Sequence, residues 1–190
     1  MAKLKTVAFR NFQSYGNILT TVKLDVSGTT LICGEDLDHI TADGVGGNGV
    51  GKSTIINAIT FALYGKALSG VNVDNLINWI NKGNMEVFLT FETDDGDEYI
   101  IHRTRKLKGN NVFLSKNGQD ITPDSAANAN LLIEEVWGVP FDMYNQVIAY
   151  TATQPPFLQQ SAKDQTSFIE NLFQLTMLSD KAANLKYLIS

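Results

Sequence analysis

A single cysteine, Cys33, leaves this 190-residue chain without the means to form an internal disulfide framework or a Cys-x-x-Cys metal site. Its expected role is to fill space in a strand. No apolar run approaches the roughly 20 residues that span a bilayer, and the first residues lack a signal-peptide pattern, so a cytoplasmic protein that makes no membrane contact is expected. Positive charge is also scarce: 15 Lys and Arg stand against 20 Asp and Glu, a formal net charge of −5. Neutralising a nucleic-acid backbone takes clustered cations, so any DNA contact has to be local or come from another part of an assembly. Internal repeats and low-complexity linkers are absent. What remains, 44% hydrophobic and 18% charged residues, is enough for one cored domain, or one plus the start of a further element.

Glycine is concentrated in one place. Gly46-Gly47-Asn48-Gly49-Val50-Gly51-Lys52-Ser53-Thr54 fits G-x-x-x-x-G-K-[ST], the phosphate-binding loop of nucleoside triphosphatases. Glycines let successive backbone N–H groups turn inward around phosphates with no Cβ in the way. Lys52 supplies a flexible ammonium for the β- and γ-phosphates, and the Ser53 hydroxyl part of a Mg²⁺ shell. The context agrees. Thr29 to Cys33 reads as a buried strand upstream, and Ser53 to Leu63 as a helix whose N-terminal dipole faces the phosphates.

Before that strand, Lys3 to Phe9 alternates as a half-buried strand, 11–16 reads as a turn, and Ile18 to Val26 as a second strand. Glu35 to Gly46 is longer than a strand-to-loop turn needs. Its acids and His39 read as a solvated acidic flap, with a metal site as the alternative. Gly65 stops the loop helix, and Val73 to Ile80 is expected as another short helix. Met85–Thr93, Asp97–Lys106 and Asn111–Ser115 then form an antiparallel meander, turning at Asp95-Gly96, Gly109-Asn110 and Asn117-Gly118. Pro123 is expected to open a helix to about Trp137, and Pro140–Thr151 to be helical or mixed, ending before Pro155-Pro156. Ser161-Ala162-Lys163-Asp164 resembles a capping box at the start of a long helix. In that helix Leu175, Leu178, Ala182, Leu185 and Ile189 follow the 3-4-3-4 spacing of a coiled-coil seam, the alternative being a core-packed amphipathic face. The pattern is still running at Ser190, as expected of a piece of a longer protein.

A hydrolysing P-loop protein needs an acid at the end of a hydrophobic strand, to hold Mg²⁺ or activate water. Only Phe88–Glu92, followed at once by a turn, and Leu131–Glu135, in a helical context, superficially qualify. There is no Ser-Gly-Gly-type signature either. The chain reads as half an active site.

That combination carries a resemblance. Asn11-Phe12-Gln13-Ser14-Tyr15, Leu31-Ile32-Cys33-Gly34, the phosphate loop with Ile56-Asn57-Ala58-Ile59, Leu76-Ile77-Asn78 with Asn81-Lys82, Asn145-Gln146-Val147, Pro156-Phe157-Leu158 and Glu170-Asn171-Leu172-Phe173 resemble the N-terminal lobe of SMC/SbcC-type ATPases. Within that family the chain is most similar to the large subunits of phage recombination endonucleases, relatives of the double-strand-break repair ATPase. The resemblance implies an α/β fold: the N-terminal lobe of an ABC-type P-loop head, residues 1–160, with an antiparallel meander, and a helix entering a coiled coil over 161–190. It implies ATP and Mg²⁺ as cofactors. The implied partners are a C-terminal lobe of the same protein carrying the missing acid, a second head in an ATP-sandwiched homodimer, a nuclease subunit, and double-stranded DNA, all in the host cytoplasm if phage-encoded.

Residue by residue, it implies nucleotide contacts from Gln13, from Gly47, Asn48, Gly49, Val50, Gly51, Lys52, Ser53 and Thr54, and from Asn78, Trp79 and Ile80 near the ribose. Core packing is the alternative for Trp79. Gln13 stands where cellular relatives carry an arginine. Lys52 and Gln154 are the implied catalytic residues and Ser53 and Gln154 the implied Mg²⁺ contacts, with Gln146 the runner-up for Gln154. His102, Arg103, Arg105, Lys106 and Lys108 read as a solvated strand end, or alternatively as a DNA phosphate contact. The expected function is the ATP-binding half of a DNA repair or recombination ATPase controlling a nuclease. The rivals are a self-contained P-loop kinase or NTPase, and a non-hydrolysing scaffold stabilised by nucleotide.

Overall fold

The computed structural model describes residues 2–35, 49–68, 71–106, 109–151 and 156–173. The alternation that predicts the meander is realised residue for residue: along β3 (Met85–Glu92) every odd-numbered side chain is buried and every even-numbered one is half-exposed. β3 lies between β1 (Lys3–Arg10) and β4 (Glu98–Arg105), and β2 (Thr20–Lys23), β5 (Asn110–Lys116) and β6 (Gln119–Asp120) complete the sheet in the order β2-β1-β3-β4-β5-β6. Every pairing is antiparallel. Asn117 (φ 50°) and Gly118 (φ 79°) give the two-residue turn that pairs Lys116 with Gln119, the positive φ values being what the hairpin twist requires.

One face of this sheet makes the core. Val7, Phe9, Val87, Leu89, Phe91 and Ile101 lie fully buried there, and α1 (Lys52–Tyr64) packs across β1, β3 and β4. Each large apolar side chain so removed from water contributes about 1.5–3 kcal/mol. α1 ends at Gly65 (φ 65°), whose N–H returns to the Phe61 carbonyl at 2.8 Å. α2 (Ala126–Trp137) covers the same face beside β5 and α1. Trp137 meets Phe91 edge-on at 5.7 Å, and its Nε1–H donates to the Tyr64 hydroxyl at 2.9 Å.

Four local expectations need correction. The strand expected over Ile18–Val26 is reduced to Thr20–Lys23, and Ile18 is 84% exposed. Thr29–Cys33 forms no ladder, Leu31 is 83% exposed, and Cys33 is exposed rather than space-filling. A strand apolar on both faces needs neighbours on both sides, and the described residues offer it none. Val73–Ile80 holds only a single 3₁₀ turn, Val73–Leu76, because Ile77 turns extended to bridge Phe12. The helix expected from Pro123 begins at Ala126, where the Ser125 hydroxyl accepts from the Asn128 N–H and caps it.

The chain divides into two compact units, Met1–Gly138 and Val139–Ser190. In the second, α3 (Phe141–Met143) runs into a π-helical turn, Tyr144–Ile148, followed by a 3₁₀ turn, Phe157–Gln159, and α4 (Ala162–Leu172). The Ser161 hydroxyl accepts from the Asp164 N–H and donates to its carboxylate at 2.6 Å, the capping arrangement expected. The coiled-coil seam from Leu175 lies outside the described residues.

Candidate nucleotide site

The described part of the phosphate loop, Gly49 to Thr54, leads directly into α1. Gly49 (φ 87°) and Gly51 (φ 94°) are left-handed, which turns the backbone into the first helical residue, Lys52. No side chain caps this helix and no acid stands in its first turn. The helix therefore presents its positive dipole end with no acid in its own first turn, the arrangement that receives a phosphate.

Gly51 is held by close approach as well as by φ. A Cβ there would stand 2.8 Å from the Ser14 hydroxyl and 2.9 Å from the Tyr15 ring, and a Cβ on Gly34 would overlap the Val50 side chain. Gly51→Ala combines left-handed strain with that clash and is expected to lose about 2 kcal/mol or more of stability. Gly49→Ala, with nothing within 4 Å of its added Cβ, is expected to lose only about 1 kcal/mol, the strain alone. Chemical denaturation of the two variants side by side checks the difference.

Ser14 and Tyr15 belong to a turn that is itself locked. Asn11 (φ 51°) and Gln13 (φ 48°) are both left-handed, and the Asn11 N–H closes the turn on the Gly16 carbonyl at 2.7 Å. Asn78, 3% exposed, ties it to the next segment: its N–H donates to the Asn11 carbonyl at 2.8 Å and its Nδ2 to the Gln13 carbonyl at 2.9 Å. The Asn78 Oδ1 in turn accepts from the N–H groups of Ile80 and Asn81. Asn81 Nδ2 reaches the Asn11 Oδ1 at 2.7 Å. The Gln13 side chain accepts from Asn57 Nδ2 on α1 at 3.4 Å. So Gln13 and Asn78 meet in one hydrogen-bonded plug against the base of the loop. Trp79 (77% exposed) and Ile80 (68% exposed) project from it, which excludes core packing for Trp79.

Ser14, Tyr15 and Asn57 shape this site, and none was singled out as a site residue in the sequence. Asn57 did carry a signal, being a polar residue within a largely apolar, buried helix. Gly47, Asn48 and Gln154 lie outside the described residues. Gln146 sits half-buried in the π-helical turn of the second unit, a backbone form that recurs at functional positions.

Neither stretch with a superficial claim to catalysis ends a parallel strand. Glu92 pairs with Lys5 at 2.8 Å, and Glu134 and Glu135 are exposed on α2. Among the described residues no three His, Cys, Asp or Glu side chains gather as a metal site, and the acidic stretch from Asp36 onward lies outside them.

The basic cluster on β4 separates onto two faces. Arg103 is buried, 4% exposed, and caps the C-terminal end of α1: its Nε donates to the Ala62 carbonyl at 2.6 Å and its Nη2 to the Leu63 carbonyl at 3.2 Å. Neither a solvated strand end nor a DNA contact describes it. Arg105 pairs with Asp74 at 2.7 Å. His102 stacks between Phe88 (4.0 Å, 10°) and Phe113 (5.4 Å). Loss of solvation holds its pKa below the ordinary 6.5, against the Glu86 charge, which raises it, and with Arg10, which lowers it further. The unfolded chain therefore takes up this proton first, and stability falls as the pH drops below about 6.5. Between pH 7.5 and 5, the wild type is expected to lose more melting temperature than His102→Phe, which thermal scans at the two pH values compare.

With this geometry established, known proteins supply the comparison. Residues 6–189 match the AAA domain family. A probable exonuclease subunit 2 of Escherichia phage T5 is 29% identical over 96% of this chain and 28% of its own length. The exonuclease subunit 2 of Enterobacteria phage T4 is 31% identical over 94% of this chain and 30% of its own. A DNA double-strand break repair Rad50 ATPase of Methanocaldococcus jannaschii is 31% identical over 74% of this chain and 12% of its own. The chain thus spans less than a third of the length of each of these relatives.

Proposed function

Because this chain belongs to the AAA domain family, we propose that it is the N-terminal, ATP-binding lobe of a DNA repair or recombination ATPase that acts with a nuclease. The observation that carries the reading is the uncapped start of α1, entered through left-handed Gly51 and buttressed by Ser14 and Tyr15. The fit is chemical: a cradle a Cβ would fill, a helix end with no acid of its own, and an ammonium, a hydroxyl and a threonine in sequence at that end. Backbone amides from Asn48 to Thr54 bind the phosphates, Lys52 neutralises the β- and γ-oxygens, and Ser53 would hold Mg²⁺ together with Gln154. Bound there, that ion would neutralise phosphate charge. Gln13, Asn78, Trp79 and Ile80 border the nucleotide.

Hydrolysis needs an acid that the described residues do not place at a parallel strand end, so it is assigned to a C-terminal lobe. The exposure of Leu31 and Ile32, apolar residues of a segment that pairs with no strand among the described residues, supports a complementary lobe that pairs there. The identities of these relatives, exonuclease subunits and a double-strand break repair ATPase, support a nuclease partner and double-stranded DNA. Two heads closing on ATP and parting on hydrolysis would be a population shift driven by differential γ-phosphate contacts. Host cytoplasm is the compartment this reading implies.

Steady-state hydrolysis by the chain with Mg²⁺, with Lys52→Ala as the blank and binding measured in parallel, tests it. The expected result is ATP binding without turnover, and turnover once the C-terminal lobe is supplied. Turnover by the chain alone would favour a self-contained NTPase, and binding that never leads to turnover would favour a scaffold.

A further inference from the structure

The face of the sheet turned away from α1 and α2 carries an arrangement that the nucleotide site does not use. Across the strands, Ala8 opposes Phe88, Phe88 opposes His102, and His102 opposes Phe113, so three rings form one row. Phe88 and His102 lie parallel at 4.0 Å, and Phe113 is 42% exposed at the end of the row. The neighbours of Phe113 along β5, Val112 and Leu114, are buried on the opposite face, where both helices pack. The row is therefore not core. A sheet face turned to water is ordinarily polar, and an outward aromatic row is the informative exception.

About 7 Å along the strands runs a second row, Arg10–Glu86–Thr104–Asn111. It opens into a groove of about 490 Å³ lined by Arg10, Asn17, Asn84, Thr104, Arg105 and Lys106, with Phe113 at its edge. On a chain of net charge −5 this end of the sheet sets three cations against one lining acid, Glu86. Two of the cations hold surface carboxylates, Arg10 on Glu86 at 2.8 Å and Arg105 on Asp74 at 2.7 Å. Both pairs are partly exposed, and a guanidinium carries five N–H donors, so it can add a phosphate to the carboxylate it holds. The asparagines and Thr104 add neutral donors and acceptors suited to base edges.

We propose that this outer face binds single-stranded DNA, with a base stacking on the exposed Phe113 that ends the ring row while Arg10 and Lys106 follow the phosphates. Stacking on protein rings needs unstacked bases, which a duplex hides and a single strand offers. The choice of DNA rests on the repair-ATPase reading above, whereas the stacking geometry does not involve the phosphate loop.

Fluorescence anisotropy of the chain with labelled oligo(dT) of about 20 nucleotides, against a duplex of the same length, tests the proposal at low salt. Oligo(dT) is expected to bind more tightly than the duplex. Phe113→Ala is expected to weaken it about tenfold, and Lys106→Glu to weaken it and reduce the salt slope by about one or more. Phe113→Trp is expected to keep the affinity and to add an emission that oligo(dT) quenches beyond the wild-type change, so the stacking is read even if the alanine variant fails to fold. Equal affinity of the wild type and folded Phe113→Ala, a preference for duplex, or a Phe113-dependent dimer in sedimentation would each overturn the proposal. ATP binding by Phe113→Ala and oligo(dT) binding by Lys52→Ala are both expected to be unchanged, so this proposal and the nucleotide site fail separately.

Discussion

Replacing Lys52 by alanine is expected to reduce ATP affinity by a factor of about 100 or more while leaving the fold intact. The magnitude follows from what the ammonium does at a phosphate. Each charge-assisted hydrogen bond contributes about 1.5–3 kcal/mol, and a lysine placed between the β- and γ-oxygens makes about two, against the 1.4 kcal/mol that changes an equilibrium tenfold. The fold is spared because Lys52 is the first residue of α1 and half-exposed, and alanine is the better helix former. Lys52→Arg is expected to recover little, since a planar fork on a longer stem does not reproduce a compact point charge in a cradle already lined by backbone amides. Calorimetric titration with a slowly hydrolysed ATP analogue, with circular dichroism as the fold control, measures both. Unchanged affinity in folded Lys52→Ala would remove the phosphate-loop assignment and with it the proposed function.

What could be read in the sequence follows the range of the forces involved. The strands of the meander and their turns were legible because period-two alternation and Asn117-Gly118 are local signals, and β3 buries the side chains its sequence says it should. The start of α1 was legible because the glycines and Lys52 answer to one chemical demand. The left-handed Gln13 and the buried Asn78 were assigned to the nucleotide on resemblance. The hydrogen bond between them, across 65 positions of the chain, appears only once β1 and β3 pair and bring the two turns together. Thr29–Cys33 failed as a strand for a related reason. Its apolar residues specify burial but cannot supply the neighbours that make a ladder. Arg103 was misread because alternation was applied to β4's apolar residues and not to its cations. Its odd position puts it on the same face as Tyr99 and Ile101, under α1, while His102 and Thr104 face the other way.

That misreading makes Arg103 the most informative stability variant in the chain. Arg103→Ala is expected to cost about 3 kcal/mol, and so to lower the melting temperature by about 10 °C at this size. The guanidinium joins two carbonyls, Ala62 and Leu63, at the end of a helix whose last turn contains no other basic residue. These are C-terminal carbonyls with no acceptor duty inside the helix, and the helix dipole makes them a favourable seat for a cation. Truncation leaves them buried with that partner gone and opens space beside Phe61, over whose ring the guanidinium carbon lies at 6.0 Å. Burial pulls the Arg103 pKa down to about 10, which keeps it cationic at neutral pH. Because the folded value lies below the unfolded one, its titration alters stability only above about pH 10. The loss in Arg103→Ala is therefore expected to be the same at pH 6 and pH 8, unlike the pH-dependent difference expected of His102→Phe. Arg103→Lys is expected to recover part of the loss, because an ammonium reaches one carbonyl but lacks the fork that spans both. A surface arginine serving DNA would behave in the opposite way, with stability changed by less than about 0.5 kcal/mol and DNA affinity reduced. Urea denaturation of the two variants beside oligo(dT) titration separates these roles, since the buried cap predicts a large stability loss with binding by the folded protein preserved.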